Sequence, residues 1–295
     1  MIGQAVNSPS ILLEQAKKEK RQLHSIMKRS DRWILILALA LCCATGLVLC
    51  TRNSDNTPQP TIKRIEERGV LLVGTTGDYR PLSYREPNGE YWGFGIDVAK
   101  TLADRLGVRA EFIQTSWPTL TADVISDPQK FDLAIGGITI TDDRRKVMLM
   151  SDGYLSNGKT ILCRASEADK YKSLEDLDKP EVRVMVNPGG MNEKFANDYL
   201  MNATIIVHQK NEEIPSKVAT GEADVMITEI TEAPWYVQND SRLAAHLLSE
   251  PFTQSEIGVL MRKGQDDLLE FVNSAIKEMK EDGSLKRLCD KYGFH

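Results

Sequence analysis

Short β-branched runs alternate with segments of helical periodicity from about residue 62 to the end of the chain. Val70–Gly74 is typical of a buried strand, and Gly95–Leu106 carries apolar residues at helical spacing. This alternation predicts an α/β fold, in which helices cover the faces of a sheet. The other predicted elements, in chain order, are Ala110–Gln114, a helix near Leu120–Ser126, Phe131–Ile135, Lys159–Cys163, Val182–Val186, a helix from Asn192, Ile205–His208, a helix around Ile214–Thr220, Ala223–Ile227, Ile257–Arg262, and the helices Asp266–Lys280 and Leu285–Tyr292.

The order of these elements predicts two lobes. At 295 residues the chain exceeds one typical domain. The late strand and the final helices return to the first unit, so we predict lobe 1 at 62–160 plus 258–295 and lobe 2 at 161–257. The polar segment 51–61 contains two prolines and is typical of a linker.

An apolar run of 18 residues, Trp33–Cys50, follows a basic N-terminal segment at 1–32. Basic residues before an apolar core are typical of a secretory signal peptide or a membrane anchor. A bilayer span needs about 20 apolar residues, so this run is borderline. The sequence leaves open a cleaved signal, an anchor, a start at Met27 and a buried core helix. We expect export to the periplasm, with membrane contact only through this segment.

Charge and cysteine usage argue against several classes of function. The net charge is −5, and residues 1–50 hold seven Lys or Arg against three Asp or Glu, so the body is more acidic than the total. An acidic body argues against nucleic acid as a partner. The chain has no metal-ligand spacing of His or Cys and no phosphate or dinucleotide motif, so we predict no metal and no cofactor. Pairing of Cys163 with Cys289 stays open, as does a homo-oligomer.

Two loops that follow predicted strands carry groups able to contact a ligand. In the loop Gly74–Glu86, Tyr79 and Tyr84 either pack on a small ligand or cap the loop. Arg144 and Arg145 follow another strand, and an arginine fork binds a carboxylate through two hydrogen bonds. The alternative is a surface arginine that pairs with a neighbouring aspartate.

Two junctions between strand and helix are further candidate sites. Gly189 and Gly190 precede a predicted helix, whose free N–H groups form a ready anion site, although glycines also serve turn geometry alone. Glu229 and Glu232 are spaced i, i+3 at an expected helix start and would therefore share a face. Acidic residues also favour a first helical turn because of the helix dipole, which requires no function.

Several segments together resemble the periplasmic amino-acid-binding proteins of ABC transporters, the solute-binding proteins of family 3. The similar segments lie within residues 65–293 and are GTTGDYRPLSY, GFGIDVAKTLADRLG, TSWPTL, FDLAIGGITITDDR and KYG. The resemblance implies a type II fold, with two α/β lobes joined by two crossing strands and a ligand clamped in the cleft between them. It also implies that Arg144 binds the ligand carboxylate and that Glu229 binds its amino group.

Within that family the chain is similar to the cyclohexadienyl dehydratases, exported enzymes that convert prephenate to phenylpyruvate and arogenate to phenylalanine. The segment VNPGG-x-NEKFA carries most of this similarity, together with TTGDYRPLSYR, TSWPTL, GKTILC and the position of Glu232. The resemblance implies that Glu232 is the general acid that protonates the departing hydroxyl. It places these residues around the substrate: Asp78, Tyr79, Trp117, Gly137, Thr139, Arg144, Lys159, Asn187, Gly189, Gly190, Met191 and Glu229.

Two departures from the family pattern bear on substrate choice. Met191 stands where a threonine is expected, and Glu229 stands where an aspartate is expected and adds a methylene to the cleft. The expected partner is a small anionic molecule, either prephenate, arogenate or an amino acid. The alternative function is a non-catalytic amino-acid-binding protein of a transporter, and a sensor or inactive relative stays open. Glu232 separates these functions because a plain binding protein does not need an acid, while Lys159 and Asn187 suit a second substrate carboxylate.

Overall fold

The computed structural model of the protein describes residues 14–22 and 59–294. Residues 14–22 form helix α1, and its side chains are exposed. Within these two described ranges, no helix combines the length and the apolar character that a membrane span requires. The predicted signal or anchor segment at 33–50 and most of the predicted linker lie outside the described residues.

The first half of the body supplies four strands of a five-stranded sheet, together with flanking helices and a small three-stranded ribbon. Its elements in chain order are α2 (Thr61–Arg68), β1 (Val70–Thr75), β2 (Asp78–Tyr79), β3 (Ser83–Arg85), β4 (Tyr91–Trp92), α3 (Phe94–Arg105), β5 (Arg109–Gln114), α4 (Leu120–Val124), β6 (Leu133–Ala134), α5 (Asp142–Val147), β7 (Leu149–Met150) and β8 (Leu155–Asn157). The ribbon of β2, β3 and β4 follows the carboxyl end of β1, which places its first strand at the edge where α/β sheets hold ligands.

The second half builds another five-stranded sheet and then returns to the first. Its elements are β9 (Lys159–Arg164), α6 (Leu174–Leu177), β10 (Arg183–Val186), α7 (Met191–Tyr199), β11 (Thr204–Val207), α8 (Ile214–Thr220), β12 (Val225–Glu229), α9 (Ala233–Asn239), β13 (Leu243–His246), β14 (Ser255–Ile257), β15 (Leu260–Met261), α10 (Asp266–Glu281) and α11 (Ser284–Tyr292). Two short 3-10 helices lie at Ala165–Lys170 and Asn211–Glu213.

The two sheets have equivalent strand orders, β5-β1-β6-β15-β7 and β11-β10-β12-β9-β13. In each sheet three parallel strands come first, and the fourth strand pairs antiparallel with the third. Strands β8 and β14 pair with each other in a separate two-stranded ladder, so the chain crosses between the sheets twice. The predicted two-lobed α/β fold is confirmed, and we call the half around β1 lobe 1 and the half around β12 lobe 2.

Each lobe buries its own apolar core, as the strand and helix patterns predict. In lobe 1 the apolar face of α3, including Val98 and Leu102, packs with Leu71 of β1. In lobe 2 Val184 and Phe195 belong to a separate cluster. Burial of one such side chain stabilises the fold by about 1.5–3 kcal/mol. Each lobe is therefore stabilised by its own core.

Most predicted elements coincide with observed ones to within about two residues, and the exceptions have physical reasons. The predicted strand Ile257–Arg262 is two strands, because β14 pairs with β8 in the crossing and β15 pairs with β6 and β7 in lobe 1. The predicted lobe boundary at 160/161 falls inside β9. No element was predicted for α2, the ribbon strands, α5, β7, β8, α6 or β13. Cys163 and Cys289 are unpaired; Cys163 lies in β9 of lobe 2 and Cys289 lies in α11 of lobe 1.

Candidate active site

A cavity lies between the lobes and takes residues from both. Ten of its eleven lining residues were predicted from the sequence, and the exception is Asn192. Lobe 1 contributes an aromatic and cationic wall, and lobe 2 contributes an amide-rich wall with one ion pair. The lining residues are Tyr79, Trp117, Gly137, Thr139, Arg144, Lys159, Asn187, Gly190, Met191, Asn192 and Glu229.

The lobe 1 wall is built around Tyr79, which is buried at the end of β2. Its ring meets the Trp117 ring edge-on, with the centroids 5.9 Å apart. Gly137 packs directly on the Tyr79 ring, because an added Cβ at Gly137 would lie 2.3 Å from it, and the backbone there has φ +88°. Only glycine fits this contact without displacing the tyrosine. Tyr84 does not line the cavity. Instead, the Arg80 guanidinium stacks on its ring, with Arg80 Cζ 3.4 Å from the ring centroid.

Arg144 is the cation of the lobe 1 wall. It lies in the first turn of α5, where the Thr141 side chain accepts a hydrogen bond from its backbone N–H at 3.2 Å. Its Nη1 donates to the Thr139 carbonyl oxygen at 2.6 Å, which orients the guanidinium. Among the described residues, Arg144 forms no ion pair with a carboxylate, so the predicted alternative of pairing with a neighbouring aspartate does not apply. Burial lowers the pKa of Arg144, and the nearby Glu229 charge acts in the opposite direction.

The lobe 2 wall contains a buried ion pair between Lys159 and Glu229. These two residues are cross-strand partners in the β9–β12 ladder, and Lys159 Nζ lies 2.5 Å from Glu229 Oε1. The same ammonium donates to Asn192 Oδ1 at 2.6 Å. Burial alone would raise the pKa of Glu229, but the Lys159 charge and the Tyr79 hydroxyl outweigh it and hold that pKa below its usual value. Glu229 therefore stays ionised in the cavity.

Glu229 and Glu232 do not share a helix face, which corrects the sequence prediction. β12 continues through Glu229 because its ladder with β9 extends to Lys159. Glu232 follows a tight turn, in which its N–H donates to the Glu229 carbonyl oxygen at 2.9 Å, and it directly precedes α9. The turn gives the two carboxyl groups different surroundings, one at the cavity wall and one behind it.

Glu232 is fully buried and is not part of the cavity lining. Its Oε1 accepts hydrogen bonds from Asn211 Nδ2 at 2.9 Å and the Tyr236 hydroxyl at 3.2 Å, and its Oε2 accepts one from Thr228 Oγ1. Burial raises the pKa of Glu232 to about 8, with the Glu229 charge adding to the rise and the Thr228 hydrogen bond opposing it. Two neighbouring carboxyl groups thus hold opposite protonation states at neutral pH, which is a pattern typical of acid–base sites.

Two predicted residues lie beside the cavity without lining it. Asp78 accepts a hydrogen bond from Trp117 Nε1 at 3.1 Å and so fixes that ring. The Gly189 N–H donates to Glu193 Oε2 at 2.6 Å, so the expected anion position at this amide is taken by the protein's own carboxylate. A Cβ at Gly189, where φ is +71°, would lie 2.7 Å from the Pro118 Cα in lobe 1, and the glycine therefore allows the two lobes to approach.

The lobes are in contact on both sides of the cavity, so the structure is a closed conformation. Tyr79 of lobe 1 donates its hydroxyl to Glu229 Oε2, and Thr139 Oγ1 lies 3.4 Å from Glu229 Oε1. The rings of Trp92 and Trp235 meet with centroids 5.5 Å apart. A ligand in this cavity would be enclosed by both lobes.

Residues 71–295 match the family of bacterial extracellular solute-binding proteins, family 3, and the chain belongs to that family. It is 37% identical over 256 residues to the cyclohexadienyl dehydratase of Pseudomonas aeruginosa, which covers 87% of this chain and 93% of that protein. A solved ancestral amino-acid-binding protein, described as a precursor of cyclohexadienyl dehydratase, is 40% identical, with a TM-score of 0.73 and coverage of 79% of this chain and 99% of its own. A solved ancestral cyclohexadienyl dehydratase is 51% identical, with a TM-score of 0.50 and coverage of 80% and 97%.

These relatives include both an enzyme and a binding protein, so similarity establishes the family but does not distinguish catalysis from binding.

Proposed function

We propose that the protein is a dehydratase that converts prephenate to phenylpyruvate and arogenate to phenylalanine, with Glu232 as general acid. The observation that carries this proposal is the position of Glu232, which is fully buried behind Glu229 and accepts hydrogen bonds from Asn211 and Tyr236, while burial raises its pKa to about 8. A carboxyl group that keeps its proton near neutral pH can act as a general acid, a role that binding of an amino acid does not require. The 37% identity to a cyclohexadienyl dehydratase supports the same assignment.

The reaction needs little beyond a proton and correct orientation. The bond between the ring and its carboxylate breaks, and its electron pair moves into the ring to complete the aromatic system. The ring carbon–oxygen bond breaks at the same time, and the hydroxyl leaves as water after taking the Glu232 proton. Solvent returns a proton to Glu232 when the lobes open. Carbon dioxide and water are the only other products, so no oxidant or nucleophile takes part.

The cavity supplies the groups that such a substrate requires. Arg144 is a guanidinium with donors free for one carboxylate, and Lys159 is an ammonium on the opposite wall for the other. Glu229 suits the ammonium of arogenate. The closed lobes exclude water, which strengthens these charge interactions. Glu232 donates from behind Glu229, so a small side-chain movement must bring its proton to the cavity.

A second candidate function is non-catalytic binding of an amino acid. It is favoured by the ionised Glu229 opposite Arg144, an arrangement that fits an α-ammonium and an α-carboxylate at once. One of the similar structures is itself an amino-acid-binding protein. Under either function we expect a periplasmic location, because the family is described as extracellular.

The test is to incubate the purified protein with prephenate at pH 7.5 and to follow phenylpyruvate by its absorbance in alkali. A blank without protein corrects for spontaneous aromatisation. Product formation by the unmodified protein and its loss in Glu232→Gln would support the proposal. Absence of product from folded protein, together with a thermal shift on addition of an amino acid, would favour the binding function instead.

A further inference from the structure

Asn211 forms a hydrogen-bonded bridge across the cleft that ends on Glu232. It lies in the short 3-10 helix Asn211–Glu213 of lobe 2 and is 2% exposed. Its Nδ2 donates to the Asp78 carbonyl oxygen of lobe 1 at 3.1 Å and to Glu232 Oε1 at 2.9 Å. One side chain therefore touches both the opposite lobe and the carboxyl group behind the cavity.

The two N–H groups of this amide are both committed. The Asn211 Oδ1 accepts no hydrogen bond from the described residues, so the two donor bonds are what set the rotation of the amide. An NH₂ group has only two N–H bonds, and each needs its own acceptor. When the lobes separate, the Asp78 carbonyl moves away and the amide loses the bond that fixes its direction toward Glu232.

This bridge also determines how Glu232 holds its proton. Oε1 accepts from both Asn211 and Tyr236, whereas Oε2 meets, within the part of the chain that the structure describes, only the Thr228 hydroxyl, which can rotate to accept. A protonated carboxyl group has a single O–H, and the oxygen that already accepts two hydrogen bonds is the unfavourable place for it. The transferable proton therefore resides on Oε2.

The groups that face this carboxyl come from four elements. The charged and titratable groups come from three of these elements, namely Glu229 at the end of β12, Tyr236 of α9, and Asp78 and Tyr79 of β2 with Arg80 directly after it, while the fourth element is the 3-10 helix that carries Asn211. Of the hydrogen bonds to Glu232, the Asn211 bond is the one whose donor also bonds across the cleft.

We propose that Asn211 is a positioning residue that transmits lobe closure to Glu232: closure docks the Asp78 carbonyl on the amide, and the amide then holds Oε1 so that Oε2 presents the proton. This inference rests on the proposed function, in which Glu232 is the acid. It predicts that the acid is correctly oriented only in the closed conformation, so that proton transfer is confined to the state that excludes water.

The decisive variants are Asn211→Asp and Asn211→Ala. Aspartate has the shape of asparagine but at most one O–H, so it can serve either Asp78 or Glu232 and presents an oxygen to the other. We expect Asn211→Asp to lower kcat at least tenfold and at least as much as Asn211→Ala does. A residue that only fills space would show the reverse order, with aspartate mild and alanine severe, and that result would overturn the inference.

Trp92→Leu is the matched control, because it weakens a different contact between the lobes. The Trp92 ring meets the Trp235 ring, and Trp92 Nε1 donates a hydrogen bond to Glu86 Oε1 at 2.6 Å. Neither contact involves the Glu232 carboxyl group. Weaker closure alone should raise KM and change kcat less than twofold. If Trp92→Leu lowers kcat as much as Asn211→Asp, the loss reflects closure in general and the positioning role is wrong.

A measurement that does not depend on turnover separates this inference from the proposed function. Small-angle scattering of the ligand-free protein reports closure, and the ¹³C signals of labelled Glu carboxyl groups report the titration of Glu232. Asn211→Asp should increase the radius of gyration and should move the Glu232 titration by more than Trp92→Leu does at an equal increase in radius, because only Asn211→Asp removes the amide bond to Glu232 in the molecules that stay closed. If the protein has no dehydratase activity, these readouts still decide whether Asn211 couples closure to Glu232, and unchanged values in Asn211→Asp would overturn it.

Discussion

Replacing Glu232 with glutamine should remove an ionisable group while keeping the hydrogen bonds that the side chain makes. The amide oxygen of glutamine can accept from Asn211 and Tyr236 as Oε1 does. The amide NH₂ takes the position of the protonated oxygen and donates to the Thr228 hydroxyl, which rotates to accept. The variant is therefore a neutral copy of the protonated acid at every pH.

The pH dependence of the free energy of unfolding follows from the shift in the pKa of Glu232. Folding raises the pKa of Glu232 from 4.5 to about 8, so this group contributes stability that is present in full below pH 4.5 and is lost as the pH rises through 8. Between pH 5 and pH 8.5 the loss is about 4 kcal/mol, at roughly 1.36 kcal/mol per pKa unit. Glu232→Gln does not undergo this loss. Its stability relative to the unmodified protein should therefore rise by about 4 kcal/mol over the same interval.

Urea unfolding at pH 5, 7 and 8.5, followed by circular dichroism, measures this difference. Glu250→Gln makes the same chemical change on an exposed side chain and should alter stability by less than about 0.5 kcal/mol at each pH. If Glu232→Gln and the unmodified protein show the same pH dependence, the carboxyl group ionises equally in folded and unfolded chains. The argument for a protonated acid would then be refuted.

Three further predictions test other parts of the site. Turnover should fall about tenfold per pH unit above pH 8 as Glu232 ionises, and a kcat profile that stays flat to pH 10 would contradict its role. Arg144→Lys should raise KM roughly tenfold to hundredfold, because an ammonium cannot replace the bidentate fork, and an unchanged KM would show that Arg144 does not hold a carboxylate. Gly137→Ala should displace the Tyr79 ring and abolish activity, whereas Gly107→Ala, also at positive φ (+68°) but with open space around it, should cost only about 1 kcal/mol in thermal or urea unfolding.

Most cavity residues could be predicted from the resemblance to the solute-binding family, and several of them also lie at the ends of strong strand signals. Lys159 begins a buried strand and Glu229 ends another, and their register in the β9–β12 ladder brings them together. Gly137 and Arg144 follow β6, another buried strand of lobe 1. Loops at the carboxyl ends of parallel strands converge in an α/β fold, whereas Lys159 reaches the same edge because β9 runs antiparallel to β12.

The parts that the sequence missed depend on contacts between distant segments. Asn211 carries no motif, and its importance follows only from the closure that brings the Asp78 carbonyl to it. Asn192 was overlooked because it lies two residues after Gly190, inside the predicted helix, although its side chain accepts a hydrogen bond from Lys159. The i, i+3 spacing of Glu229 and Glu232 was interpreted as helical because acidic residues commonly open helices, and the pairing of β12 with β9 overrides that preference.

The charges of the closed cavity explain how one site can suit both binding and catalysis. Arg144 and Lys159 are cationic and Glu229 is anionic, and this set already matches the carboxylate and ammonium of an amino acid. Glu232 adds no charge to that set at neutral pH, because it is buried and protonated. An acid can therefore be present behind the binding groups without disturbing the recognition of an amino acid. Under the proposed roles of Glu232 as general acid and Asn211 as positioning residue, substitutions at these two positions should affect turnover far more than affinity.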